Sequence, residues 1–158
     1  ISIYCNTLEL VKLFCEKIKK FSPDCHIVLG GAHVMEYEVD ILSRMKHVDS
    51  VCTGDGEETI WELADRLIHQ KSLLNCKGIT FRDGDKIIQN ERRPDIKNLD
   101  LLPHPERERN PKNKKRYFYI TGSRGCLGQC SFCGEHKTGG CGVRLRDPVD
   151  IVNEMEEL

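Results

Sequence analysis

No apolar run in this chain approaches the ~20 residues that cross a bilayer, and no charged stretch leads into an apolar one as in a secreted precursor. A membrane-spanning helix is not expected, and a soluble, globular, cytoplasmic protein is. Charge of one sign is also lacking. The 24 basic and 25 acidic residues leave a net charge of −1, too weak a field to draw the chain to nucleic acid or an anionic membrane. There is no initiating methionine: the chain begins at Ile1 inside a strand-like run. It stops in an amphipathic helical stretch, Ile151 to Leu158, with no Gly or Pro stop signal. At 158 residues it suits one domain, or one and a part, and a piece cut from a longer protein is expected.

Cysteine is not scarce. There are nine, an odd number, five of them scattered at positions 5, 15, 25, 52 and 76. A secreted disulfide scaffold would be shorter and richer in Gly and Pro, so the pattern points to a reducing compartment. Three of the others form one loop, Cys126-Leu127-Gly128-Gln129-Cys130-Ser131-Phe132-Cys133, spaced by three residues and then two. Four thiolates would close a four-iron cube to substrate, whereas three leave one iron open to an added ligand. Gly122, Gly125 and Gly128 let this backbone come close enough to donate amides to sulfur. A structural zinc site is the other use of such spacing, with His136 or Cys141 as fourth ligand. As a fourth cluster ligand, Cys141 would close the open iron. Its Gly139-Gly140-Cys141-Gly142 setting reads more simply as a turn carrying a spare thiol.

Cx3Cx2C with an aromatic before the third Cys, preceded by Ser123-Arg124-Gly125, closely resembles the signature of radical S-adenosylmethionine (SAM) enzymes. The resemblance implies a 4Fe-4S cluster on Cys126, Cys130 and Cys133, SAM chelating the open iron, and Phe132 beside the adenine.

Upstream the pattern is strand, loop and helix, repeated. Ile1 to Cys5 is apolar and leads into Asn6-Thr7-Leu8-Glu9, a capping signal. Leu8, Val11, Phe14, Cys15, Ile18 and Phe21 then recur at helical spacing up to Pro23. His26 to Leu29 is a second strand signal, followed by Gly30-Gly31-Ala32-His33 and a helix over Glu38 to Met45. Val48 to Thr53 is a third, followed by Gly54-Asp55-Gly56 and a helix over Glu57 to His69, with Ile60, Leu63, Ala64, Leu67 and Ile68 on one side. Three such units predict a parallel α/β sheet, whose strand-to-helix loops share one rim where ligands bind. Glycine there permits close backbone approach, although it also simply suits tight turns.

The Gly-Gly-x-His and Gly-Asp-Gly-Glu-Glu-Thr loops look like those of the cobalamin-binding domain that precedes the barrel in a large class of radical SAM proteins. Asp55 stands where those proteins usually have Glu. The resemblance implies a flavodoxin/Rossmann-like domain lacking its first strands over residues 1–90, with cobalamin contacts at Ser2, Gly30, Gly31, Gly54, Asp55, Gly56 and Glu57. The loop that supplies a lower cobalt ligand in some cobalamin proteins is not in this chain. His33 sits in the wrong loop for that role and is expected to pack or hydrogen-bond locally.

Asp83-Gly84-Asp85 between two short strand signals predicts a hairpin that leaves this domain. Residues 91–116 resemble the family's interdomain linker. Their basic cluster, Arg107, Arg109, Lys112, Lys114, Lys115 and Arg116, has no stacking platform and is expected to be solvated, not bound to nucleic acid. Tyr117 to Thr121 is expected as a strand, the cysteine loop follows, and Pro148 opens a helix. Residues 117–158 thus resemble the first β/α unit of a radical SAM barrel. About forty residues are too few for a TIM-like barrel of ~200 or more.

The resemblance implies an enzyme that takes one electron from a donor such as flavodoxin or ferredoxin and cleaves SAM to a 5′-deoxyadenosyl radical. Methyl transfer to an unactivated carbon of a small-molecule substrate is the expected outcome, with cyclisation or rearrangement known within the class. The alternative is a cobalamin or small-molecule sensor whose cysteine loop is a metal clip or redox element. A plain flavodoxin-like carrier ranks last, because the phosphate loop it needs after its first strand is missing.

Overall fold

The computed structural model describes residues 1–3, 7–31, 34–107, 118–128, 130–131, 133 and 142–158. Helix α1 spans Leu8–Phe21 and buries Val11 and Cys15, one turn apart, with Leu8 and Ile18 packed beside them. Phe14 and Phe21, expected on that face, lie on its flank and are exposed. The expected capping box is not used: Thr7 is the N-cap and makes no side-chain capping bond.

Four strands make one sheet in the order β1 (Val28–Leu29), β2 (Ser50–Cys52), β3 (Ile79–Asp83), β4 (Lys86–Gln89). Residues 1–3 extend it beyond β1, through Ile3 N–H to Gly30 O at 2.8 Å and Gly30 N–H to Ile1 O at 2.9 Å. The Ser2–Gly30 bridge and the β1–β2 pair are parallel, as expected. The hairpin does not leave the domain. Strand β3 pairs antiparallel with β2, and β4 with β3, so the sheet is mixed. The reason lies in the side chains: Ile79 and Phe81 are almost fully buried and belong to the same core as Cys52.

Two apolar clusters cover the two faces of the sheet. Leu29 and Val51 join α1 and helix α2 (Glu38–Arg44) through Val11, Cys15, Ile41 and Leu42. Their neighbours Val28 and Cys52 join Leu63 of helix α3 (Gly56–Ile68), with Cys76, Ile79 and Phe81. Successive strand residues thus serve opposite faces, and a strand buried on both, such as Ser50-Val51-Cys52, reads as continuous rather than alternating.

The segment expected as a solvated linker packs against this body. Leu99, in a short 3₁₀ turn (Leu99–Leu101), is 2% exposed. Arg93 is hydrogen-bonded to Thr59 and paired with Glu62, and Ile96 N–H donates to Asp55. Arg107, grouped with the free basic residues from sequence, is held by Glu154 and by the Tyr119 carbonyl. Positions 109–116 of that cluster lie outside the described residues.

The strand expected over 117–121 is not formed by residues 118–121. Pairing starts instead at β5 (Ser123–Cys126), antiparallel to β6 (Gly142–Leu145), an element the sequence did not suggest. Among the described residues no other strand lies beside β5, so its ladder bonds go to the one segment within reach. Helix α4 (Pro148–Glu156) follows, with Pro148 at its start and Asp147 capping Val149 N–H at 2.7 Å.

Candidate functional site

The parallel part of the sheet brings the predicted rim together. Ser2, Gly30, Gly31, Gly54 and Gly56 line one cavity of about 280 Å³, joined by Ile1, Val28, Leu29, Cys52 and Ile60. Gly31 has φ +102°, and a Cβ there would lie 2.6 Å from Ser2 Oγ and 2.9 Å from Ile3 O. Only glycine allows these two strand ends to close on each other. At Gly30 and Gly56, by contrast, an added Cβ would meet nothing nearer than 3.7 Å and 3.9 Å, so their open space belongs to the cavity. Cys52 also lines it. Burial and the neighbouring Cys76 push its thiol up to about 11, so it faces the cavity as a neutral, apolar group.

Asp55, at the start of α3, and Glu57, in its first turn, do not line this cavity. Asp55 is the N-cap of α3 without capping it through its side chain. Its carboxylate accepts from Ile96 N–H at 2.9 Å, Arg124 Nη1 at 3.0 Å and Arg144 Nη1 at 2.5 Å. Glu57 takes Arg124 from the other side, at 2.5 Å and 3.2 Å. Burial alone would raise the Asp55 pKa, but the hydrogen bonds from Arg144, Ile96 and Arg124 outweigh it and hold the group below the usual carboxylate range. Arg124 does the same for Glu57. Arg124 and Arg144 were not singled out from sequence. Their only signal was the position of Arg124, two residues before Cys126.

Cys126 ends β5; Cys126 and Cys130 are exposed thiols, and Cys133 is half-buried. Gly128 N–H donates to Cys126 Sγ at 3.3 Å. A Cβ on Gly128 would sit 3.5 Å from Cys126 Sγ and 3.6 Å from Cys130 Sγ, so two of the sulfurs flank one bare backbone position. Cys133 N–H closes the turn onto Cys130 O at 3.0 Å. Thiols converging on an amide-bearing glycine suit an iron–sulfur cluster, whose sulfurs accept backbone N–H bonds. Among the described residues no three His, Cys, Asp or Glu side chains meet closely enough to hold a single metal ion. Phe132, His33, His136 and Cys141 lie outside the described residues.

No family model matches the chain. In sequence it is 29% identical over 145 residues to an uncharacterised methyltransferase of Pyrococcus horikoshii, a match covering 89% of this chain and 32% of that protein. It is 30% identical over 150 residues to the anaerobic magnesium-protoporphyrin IX monomethyl ester cyclase of Cereibacter sphaeroides, covering 86% of this chain and 24% of the cyclase. In structure it matches the radical SAM methyltransferase TsrM of Kitasatospora setae, solved with cobalamin and a [4Fe-4S] cluster bound. That match has a TM-score of 0.74 at 18% identity and covers 96% of this chain and 32% of TsrM. The chain therefore spans about a quarter to a third of the length of these relatives. No helix among the described residues is long and apolar enough to cross a membrane.

Proposed function

We propose that this chain belongs to the cobalamin-binding radical SAM proteins, a reading supported by its similarity to methyltransferases and a cyclase, and that the whole protein is a radical SAM enzyme using cobalamin to methylate an unactivated carbon. The observation that carries this is the arrangement of one loop and the start of α3. Gly54 and Gly56 line the rim cavity, while Asp55 and Glu57 between and beside them hold the two arginines of the cysteine hairpin.

In this reading residues 1–90 form the cobalamin domain, 91–116 the connection and 117–158 the start of the SAM domain. Cys126, Cys130 and Cys133 hold the cluster, and Phe132 lies by the adenine of SAM. When bound, the cluster supplies one electron for reductive cleavage of SAM, and cobalamin supplies the methyl group. The chain's own contributions are positional and electrostatic. The Gly128 amide donates to the Cys126 sulfur, the kind of backbone N–H bond that cluster sulfurs accept. Ser2, Gly30, Gly31, Gly54 and Gly56 offer cobalamin a stretch of bare backbone and one hydroxyl, beside the apolar groups of Cys52 and Ile60.

The test is anaerobic reconstitution of the full-length protein with iron, sulfide and cobalamin, followed by reduction in the presence of SAM. Formation of 5′-deoxyadenosine together with about four irons per chain is the expected result. One zinc per chain and no 5′-deoxyadenosine would overturn the reading in favour of a sensor with a metal clip.

A further inference from the structure

The cysteine hairpin contains a conflict that it does not resolve internally. Arg124 on β5 and Arg144 on β6 are directly opposed partners in the ladder. Like charges facing each other across two strands are destabilising. An isolated two-stranded hairpin is marginal in water even without such a pair. Here the opposing charge comes from elsewhere in the chain: Asp55 takes Arg124 on Oδ1 and Arg144 on Oδ2, and Glu57 takes the other side of Arg124.

These contacts span 67 to 89 residues of sequence. The Asp55 side chain is 9% exposed, and those of Arg144 and Arg124 are 14% and 30% exposed, so the network is shielded from solvent far more than a surface pair. It is also tied to the backbone on both sides. Ile96 N–H donates to Asp55, and Arg144 Nη1 donates to Ile96 O at 2.7 Å, which closes a ring around the connecting segment.

We propose that Asp55, supported by Glu57, is a positioning residue: it bridges the opposed Arg124–Arg144 pair and so fixes the cysteine hairpin at a set distance from the rim cavity. This rests on the reading of the two sites given above. Because Gly54 and Gly56 flank Asp55, whatever occupies the cavity and whatever the three cysteines hold are registered by one loop. Removing the carboxylate releases the registration without touching a cysteine or a cavity-lining residue.

The measurement is the separation between reduced cluster and cob(II)alamin in the full-length, anaerobically reconstituted protein, read from their magnetic dipolar coupling. Wild-type protein is expected to give one narrow separation. Asp55→Asn is expected to load both groups, by iron count and cobalamin absorbance, and to give a broadened distribution. Arg144→Gln alone is expected to broaden it similarly, and adding it to Asp55→Asn to broaden it little further, because the two changes cut the same link.

An Asp55→Asn distribution as narrow as wild type overturns the proposal. So does selective loss of cobalamin from Asp55→Asn with the cluster intact, since that outcome makes Asp55 a direct contact instead. Should Asp55→Asn fail to fold, Arg144→Gln alone, which cuts the same link from the hairpin side, replaces it, and an unchanged distribution there overturns the proposal equally. If wild-type protein loads neither group, it is the functional reading that fails, independently of any variant.

Discussion

Gly31 is under the tightest single-residue constraint in the rim, through both its positive φ and the 2.6 Å that a Cβ would leave to Ser2 Oγ. Gly31→Ala is expected to cost about 1–3 kcal/mol of stability, read as a lowered urea midpoint. Gly30→Ala, with 3.7 Å to spare and no positive φ, is expected to leave that midpoint nearly unchanged while narrowing the cavity. Equal losses from the two would contradict this account of the rim. At this scale the rim glycines were legible in sequence, because turn geometry demands particular residue types at short spacing. The partners of Asp55 were not, since an ion pair across 89 residues leaves no local pattern.

Helix α4 shows how an element is held by charges drawn from several segments. Glu154 is 1% exposed and paired with Arg146 and Arg107. Glu154→Ala would strip Arg107 of its carboxylate and leave Arg146 only Asp150, and is expected to lower the local stability of α4 by roughly 3 kcal/mol, seen as faster amide exchange over 148–158. His104 bonds Glu157 at 2.9 Å and Asp150 at 3.1 Å, and these carboxylates raise its pKa above the ordinary 6.5. Its contribution is therefore complete below pH 6.5 and lost as pH rises through the raised value. Asp150 and Glu154 are shifted the other way. Arg146 and then His104 lower Asp150, while for Glu154 the bonds from Arg146 and Arg107 outweigh burial. Their contributions persist at neutral pH and fade only in acid. After correction for intrinsic rates, amides of α4 are expected to exchange faster at pH 8 than at pH 6, and His104→Gln to flatten the difference. An unaltered pH dependence in that variant would remove His104 from the account. Helices α1, α2 and α3 were legible to within a residue or so because apolar spacing is local, even though none of them uses a side-chain cap. Strand β6 was not, because its partner lies across the loop and its own sequence reads as a turn.

For the whole molecule, the expectation with most consequence concerns the three cysteines. In full-length protein, Cys126→Ala, Cys130→Ala and Cys133→Ala are each expected to abolish cluster assembly, with Cys141→Ser retaining it; iron and labile-sulfide assays decide. If Cys141→Ser loses the cluster as completely as Cys130→Ala, the open-iron arrangement is wrong. Sequence by itself determined the α/β class, the glycine-lined rim and the thiol spacing, since each follows from periodicity or from residue types fixed within a few positions. Only the tertiary structure decided that the 79–89 hairpin completes the sheet, that the connecting segment packs instead of floating, and that Asp55 bridges two opposed arginines. Those outcomes depend on which buried faces and unpaired charges meet once the chain has closed on itself, and short-range pattern carries no record of that meeting.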